Sequence, residues 1–319
     1  MKFPVKIYLV LAVFLLTALS CGPFGSPTPT PAPTTAPPPE TGEDSVTPLD
    51  TSVPGREVSV TPIQVRPAGD GIVPPPPADG GPCANTFYPL IPGYQWLYKV
   101  TGDGGTSQVS MTVSEVNGNE ATLNVLYLES GMTSEATVTC DDGAILSAPV
   151  VLLGFLFGDL DGEITVEHQN GVFVPNYAEL SAQNWDAEWR GEYTASGQIT
   201  ANMDGEPVSA VLENSPLAIE WHTPGAGEAI FDGISVAAGS FPQAIRLERT
   251  VNFNVAVEFT SGGETTSINT VLTLENNLWF EPNLGLLKQE IESASIKLYG
   301  ASFPIEMEGT LELAEFRQE

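Results

Sequence analysis

At 319 residues the chain has room for one or two domains. It carries 40 acidic residues against 11 Lys and Arg, a formal net charge of -29, and a surface of that sign repels phosphate backbones, so nucleic acid is not expected as a partner. The 2 histidines and 3 cysteines leave little for a metal framework or a histidine-based catalytic group.

Lys2 and Lys6 come first and precede an almost wholly apolar run from Ile7 to Leu19. Charge followed by an apolar block is the order of a secretory signal. The run is too short to span a bilayer, which takes about 20 residues. It closes on Thr17-Ala18-Leu19-Ser20-Cys21. That stretch resembles the lipobox of bacterial lipoproteins, with Ala18 and Leu19 in permitted places. The resemblance implies that residues 1–20 are a signal peptide cut before Cys21 and that Cys21 carries a diacylglyceryl group on its sulfur. The protein is then expected on the extracytoplasmic face of the cell envelope, its contact with the membrane being the lipid anchor. Two acyl chains, at about 0.8 kcal/mol per buried methylene, anchor stably where one is marginal. The alternative is an ordinary secreted protein in which Cys21 is incidental.

Residues 21–82 are dominated by Pro, Thr, Ser, Ala and Gly, including Pro37-Pro38-Pro39 and the run from Pro74 to Pro77. Such a segment has too few clustered apolar side chains to offset its ordering entropy, so a disordered, polyproline-like stalk is expected. As a flexible coil it would reach on the order of 45 Å. Thr/Pro runs also suit O-glycosylation, on composition alone.

Residues 83–319 form one domain with a substantial core. With Cys21 assigned to lipid, Cys83 and Cys140 remain as a pair in an oxidising compartment, and a disulfide is the natural reading. Two free or metal-binding thiols are the competing one, without His or Cys neighbours at ligand spacing.

The pattern after Cys83 is that of strands. Gln108 to Val116 and Ala121 to Leu128 alternate apolar and polar residues on either side of Asn117-Gly118, the strongest short-range hairpin signal. Further alternating runs begin at Ala244 and Thr265, and two shorter ones, "GLLKQEIES" and "SIKLYG", lie near the end. Helical periodicity is confined to Val150 to Phe157 and Tyr177 to Gln183. The fold class is therefore mainly β: a large curved antiparallel sheet or open half-barrel with one or two short helices. The continuously apolar stretch from Ala148 to Leu160 reads either as a plug or lid against the concave face or as an ordinary buried element.

Three stretches carry a family resemblance: "FYPLIPGYQWLYKV" from Phe87, "ISVAAGSFPQAIRLERT" from Ile234 and "LWFEPNLGLLKQE" from Leu278. In order and content they resemble elements of a group of uncharacterised bacterial envelope lipoproteins. Ala237-Ala238 stands where Pro-Ala is usual in that group, and Asn283-Leu284 where Gly or Val often sits. The resemblance implies a curved antiparallel sheet akin to the half-barrels of the lipoprotein carriers LolA and LppX, whose concave face accepts acyl chains. The group carries no catalytic motif to transfer. Gly93, Gly239 and Gly285 each precede an alternating run where a positive φ or a close approach is needed. Trp96, Tyr98, Phe241, Trp279 and Phe280 offer large apolar area to a sheet core.

Chemistry-bearing patterns are few. His168 and His222 lack partners at triad or zinc spacing, and no nucleophile elbow, H-E-x-x-H or phosphate loop occurs, so no enzyme activity and no cofactor are expected. Asp159, Asp161 and Glu163 alternate around Gly162 and are weak candidates for a hard cation; a solvated acidic turn is the competing reading. Trp185 and Trp189 are four apart and share a face on either a helix or a strand. With Phe155 and Phe157 they are the candidates for an apolar ligand groove, against ordinary core packing. Two functions follow as expectations. One is a non-catalytic binding protein for lipid or another amphipathic ligand on the concave sheet. The other is a structural or protein-interaction module of the envelope with no small ligand.

Overall fold

The structure is a computed structural model that describes residues 81–102, 105–147, 161–203, 206–224, 230–261, 264–298, 300–305, 307 and 309–318. The first elements are a 3-10 turn, Gly81–Cys83, then β1 (Tyr94–Gly102), β2 (Gly105–Asn117), β3 (Glu120–Tyr127), β4 (Thr133–Asp141) and the short β5 (Ala144–Ile145). Then come β6 (Asp161–Gly171), α1 (Tyr177–Ala182), β7 (Trp189–Met203) and β8 (Glu206–His222). A small hairpin of β9 (Ile234–Val236) and β10 (Gly239–Phe241) leads to β11 (Ile245–Ser261), β12 (Glu264–Glu281), β13 (Gly285–Leu298), β14 (Ala301–Pro304) and β15 (Gly309–Gln318).

All strands except β9 and β10 belong to one antiparallel sheet that is not closed into a barrel, ordered β5-β4-β3-β2-β1-β15-β13-β12-β11-β8-β7-β6, with β14 also on β13. The long hairpins β7–β8 and β11–β12 follow from alternation sustained over about fifteen residues per strand, which only a sheet with one buried face rewards. At Asn117-Gly118 the expected turn forms, with Gly118 at φ 63°. Bulges at Leu97/Tyr98, Val113/Glu115 and Ala195/Gly197 each add an unpaired residue and bend a strand, and a longer irregularity at Phe253/Ala256 sets two residues of β11 against five of β8. The runs "GLLKQEIES" and "SIKLYG" are one strand, β13, because a bulge opposite Glu275/Asn276 absorbs the break in alternation.

The two ends of this strand order touch at one place. Ile145 N–H donates to Val174 O at 2.8 Å, and Phe173 N–H donates to Ile145 O at 2.7 Å. α1 is the expected helix at Tyr177, capped by Asn176, whose side chain accepts from Glu179 N at 2.9 Å. The other helical stretch, Val150 to Phe157, lies outside the described residues, as does the expected plug from Ala148 to Leu160. Cys83 and Cys140 form a disulfide with Cα atoms 5.2 Å apart, inside the usual range for that bond.

The inner face of the sheet is the core. Along β1 the alternation is direct: Tyr94, Trp96 and Tyr98 are buried. Phe280 of β12 and Trp221 of β8 are buried on the same side, and each such aromatic contributes on the order of 2–3 kcal/mol by burial. Trp279 is the exception to the expected core aromatics. It faces outward, partly buried, with the Arg246 guanidinium 6.0 Å and the Lys288 ammonium 5.3 Å from its ring. Its indole N–H donates to Asp232.

Candidate functional site

An acyl-carrying site on the inner face would need empty apolar space, and the residues between Cys83 and Ile91 take that space. Phe87 stacks on Phe280 at 4.9 Å and against Trp185 at 5.2 Å. Tyr88 meets Phe173 at 5.5 Å, and Phe173 meets Trp221 at 5.4 Å. Asn85, fully buried, fixes this segment. Its amide donates to Gly143 O and Pro175 O, each at 2.8 Å, and its side-chain oxygen accepts from Phe87 N and Tyr88 N. Nothing in the hydrophobic pattern marks Asn85; the only cue is its place three residues before an aromatic pair's end, where an Asx turn is common. The cavity beneath Tyr88, Trp96 and Tyr98 holds about 20 Å³, room for about one water sphere.

Gly285 shows how tightly this end is packed. It has φ 112°, and a Cβ there would come within 3.3 Å of the Trp96 indole nitrogen. That nitrogen donates to Leu284 O at 2.7 Å, and Tyr98 Oη donates to Leu286 O at 3.0 Å, so β1 is stitched to the β12–β13 turn.

Among the described residues one cation is buried in this core. Arg249 of β11 is 1% exposed; its guanidinium lies 5.1 Å from the Trp221 ring and donates to Gln289 Oε1 at 2.9 Å. Gln289 reaches Asn276 in turn, and Asn276 donates to Arg249 O, each at 3.5 Å. The Arg249 Nε and the Tyr88 hydroxyl are buried without a hydrogen-bond partner among the described residues. Burial pulls the Arg249 pKa down to about 10, which leaves it charged at neutral pH, and burial pushes the Tyr88 phenol up. At the end of β12, burial raises the Glu281 carboxyl to about 7.

The outer face is open across the first four strands. A trough of about 510 Å³ runs across β1 to β4, lined by Gln95, Ser110, Thr112, Asn124, Leu126 and Glu135 among others. Leu126, Leu128 and Met132 are exposed beside it, Met132 at 64%.

The residues proposed from sequence fall in separate places. Trp185 and Trp189 do not share an element: Trp185 lies in the turn after α1 and packs on Phe87 and Tyr177, whereas Trp189 begins β7 and stacks on Trp221 at 5.6 Å. Trp185 sits at φ 64° after Asn184 at φ 55°, so the chain reverses between them and the even spacing loses its meaning. Phe155 and Phe157, their intended groove partners, lie outside the described residues. Cys21 and Asp159 do as well. Asp161 and Glu163 are not in a turn but on β6, opposite Thr200 and Gln198. Among the described residues no group of three His, Cys, Asp or Glu is placed to hold a metal. His168 donates to Gly171 O within β6 at 2.8 Å, and His222 of β8 donates to the Glu248 carboxylate of β11 at 3.0 Å. No described helix is long and apolar enough to cross a membrane.

No family model matches the chain, and no curated protein matches it. Two solved structures are similar at low level. A protein described as a candidate lipoprotein, from Parabacteroides distasonis, is 17% identical with a TM-score of 0.40, covering 73% of this chain and 99% of its own. A protein described as a candidate exported protein with a YmcC-like fold, from Bacteroides fragilis, is 12% identical with a TM-score of 0.39, covering 73% of this chain and 100% of its own.

Proposed function

We propose that the chain is a lipid-anchored protein of the extracytoplasmic envelope, tethered through Cys21 and its Pro/Thr-rich stalk, whose β domain is a non-catalytic interaction module. The observation that carries this reading over a lipid carrier is the filled inner face. Where a carrier keeps an apolar cavity of several hundred Å³, Phe87, Tyr88, Phe173 and Trp185 occupy the centre, and about 20 Å³ is left under Tyr88. The anchor rests on the lipobox-like stretch ending at Cys21.

One observation favours the carrier. Ile164, Val166, Val255 and Leu272, on the strands of the β6–β12 side, are only partly buried. The two readings separate in one experiment on the chain carrying Cys21→Ser, which has no anchor. Organic extraction with mass spectrometry should recover no bound lipid, and a fluorescent fatty acid should not be displaced or taken up. Stoichiometric lipid would overturn the module in favour of the carrier. Metabolic labelling with a tagged fatty acid should mark the parent and not the Cys21→Ser chain; equal labelling of both would overturn the anchor.

A further inference from the structure

In an antiparallel ladder successive residues turn their N–H and C=O to opposite sides. The even-numbered residues of β4 face β3, as Cys140 N–H donating to Asn119 O and Tyr127 N–H donating to Met132 O show. Thr133, Glu135, Thr137 and Thr139 therefore face the opposite edge. Thr139 is satisfied there, its C=O accepting from Leu146 N at 2.9 Å and its N–H donating to Ser147 Oγ at 2.7 Å. Thr133, Glu135 and Thr137 are exposed, and no described strand pairs with them.

Proteins guard such an edge with prolines, lysines, bulges or brevity. Two other edges among the described residues are guarded: β14 has four residues and ends on Pro304, and β6 carries a bulge at His168/Asn170. β4, reading "TSEATVTCD", has none of these and pairs with β3 without a shift of register. The 510 Å³ trough opens onto this same edge at Thr133, Ser134 and Glu135. Exposed Leu126, Leu128 and Met132 lie at its end.

Charge selects the occupant. Residues 105–171, the stretch from β2 to β6, hold 10 Asp and Glu and no Lys or Arg, so this part of the sequence carries one sign of charge. A second copy of the chain would bring Glu135 toward Glu135 and a net charge of -29 toward its equal. We propose that the edge of β4 left unpaired among the described residues is the docking strand of the module and takes an extended, lysine- or arginine-bearing polypeptide segment as an added strand. Main-chain bonds to Thr133, Glu135 and Thr137 give the affinity. Glu135 and the trough select basic side chains, and Leu126 and Met132 select apolar ones. This rests on the interaction-module reading above.

The test uses the full-length protein in detergent and an eight-residue peptide alternating lysine with valine, with a glutamate–valine peptide as control. Binding of the basic peptide should slow amide exchange across 133–138 by about tenfold or more at saturation, as added ladder bonds do. Thr137→Pro removes an N–H on the free edge and should abolish that protection. Glu135→Lys should weaken binding by about tenfold, in line with loss of a cross-strand charge pair. Unchanged exchange across 133–138, or binding equal in the parent and Glu135→Lys, would overturn the proposal; should Thr137→Pro fail to fold, Glu135→Lys decides alone. The lipid extraction reads the broader proposal independently: a lipid-free domain with an unprotected β4 sinks the edge and leaves the module, whereas stoichiometric lipid sinks the module itself.

Discussion

Arg249 sits where charge is hardest to keep, with a planar ring on one side and a neutral amide as its acceptor. Removing that amide leaves a desolvated guanidinium without its main bond, so Gln289→Leu should destabilise the fold by about 3 kcal/mol. Replacing both residues, Arg249→Met with Gln289→Leu, takes away the charge with its acceptor and should return stability to within about 1 kcal/mol of the parent. Urea unfolding of the two single variants and the double one measures this directly; additive losses would show that the two do not act as a unit.

Glu281 makes the opposite kind of statement. Its folded pKa, about 7, stands above the ordinary 4.5, so the folded chain holds a proton that the unfolded chain has lost between those values. Stability from this group is complete below about pH 4.5 and falls as pH rises toward 7, by on the order of 1 kcal/mol once partial solvation is allowed for. Glu281→Gln should flatten that slope and be the more stable protein at pH 8, as thermal unfolding across pH would show. A slope identical to that of the parent would mean the carboxyl is better solvated than its buried Oε2 indicates.

Among the elements, the disulfide joins the 3-10 turn to β4 across a sequence separation of 57. In the chain-entropy picture, closing a loop of that size stabilises by about 4 kcal/mol. Cys83→Ser with Cys140→Ser should lower the unfolding midpoint accordingly, with exchange rising first at the Gly143 amide, which donates to Pro82 O, and around Asn85. Those residues share the hydrogen bonds that hold the turn to the sheet.

Much at this scale was legible beforehand. The β2–β3 hairpin, the runs of β11 and β12, α1 and the antiparallel class follow from alternation and turn chemistry. β7 and β8 were hidden because Gly197 and Asn214 sit at bulges that reset the alternation partway along the strands, and β6 has its own shift between His168 and Asn170. The spacing of Trp185 and Trp189 misled for a related reason: a period identifies a shared face only inside a single element, and two left-handed residues lie at the start of that span. The inner-face filling was illegible too. It depends on Asn85 reaching Pro175, 90 residues away, and no local pattern encodes such a bond.

Taken whole, the described domain is a sheet whose two ends meet where Ile145 touches Phe173 and Val174 and where Tyr193 Oη donates to Leu146 O, with its interior given to aromatic packing. Among the described residues the exposed trough and the unpaired edge of β4 both lie on the outside of the sheet. The far end of β4 also bears the crosslink to the residue at which the N-terminal segment joins the domain. A pull applied through that segment meets the sulfur–sulfur bond before it meets any backbone hydrogen bond between Ala84 and Thr139. Load is handed straight to β4, and a contour length of about 200 Å, roughly 57 residues at full extension, is withheld from stretching. Under tension the domain therefore has a short-circuited first quarter: the backbone of β1, β2 and β3 lies outside the covalent path that enters at Cys83 and leaves through Cys140.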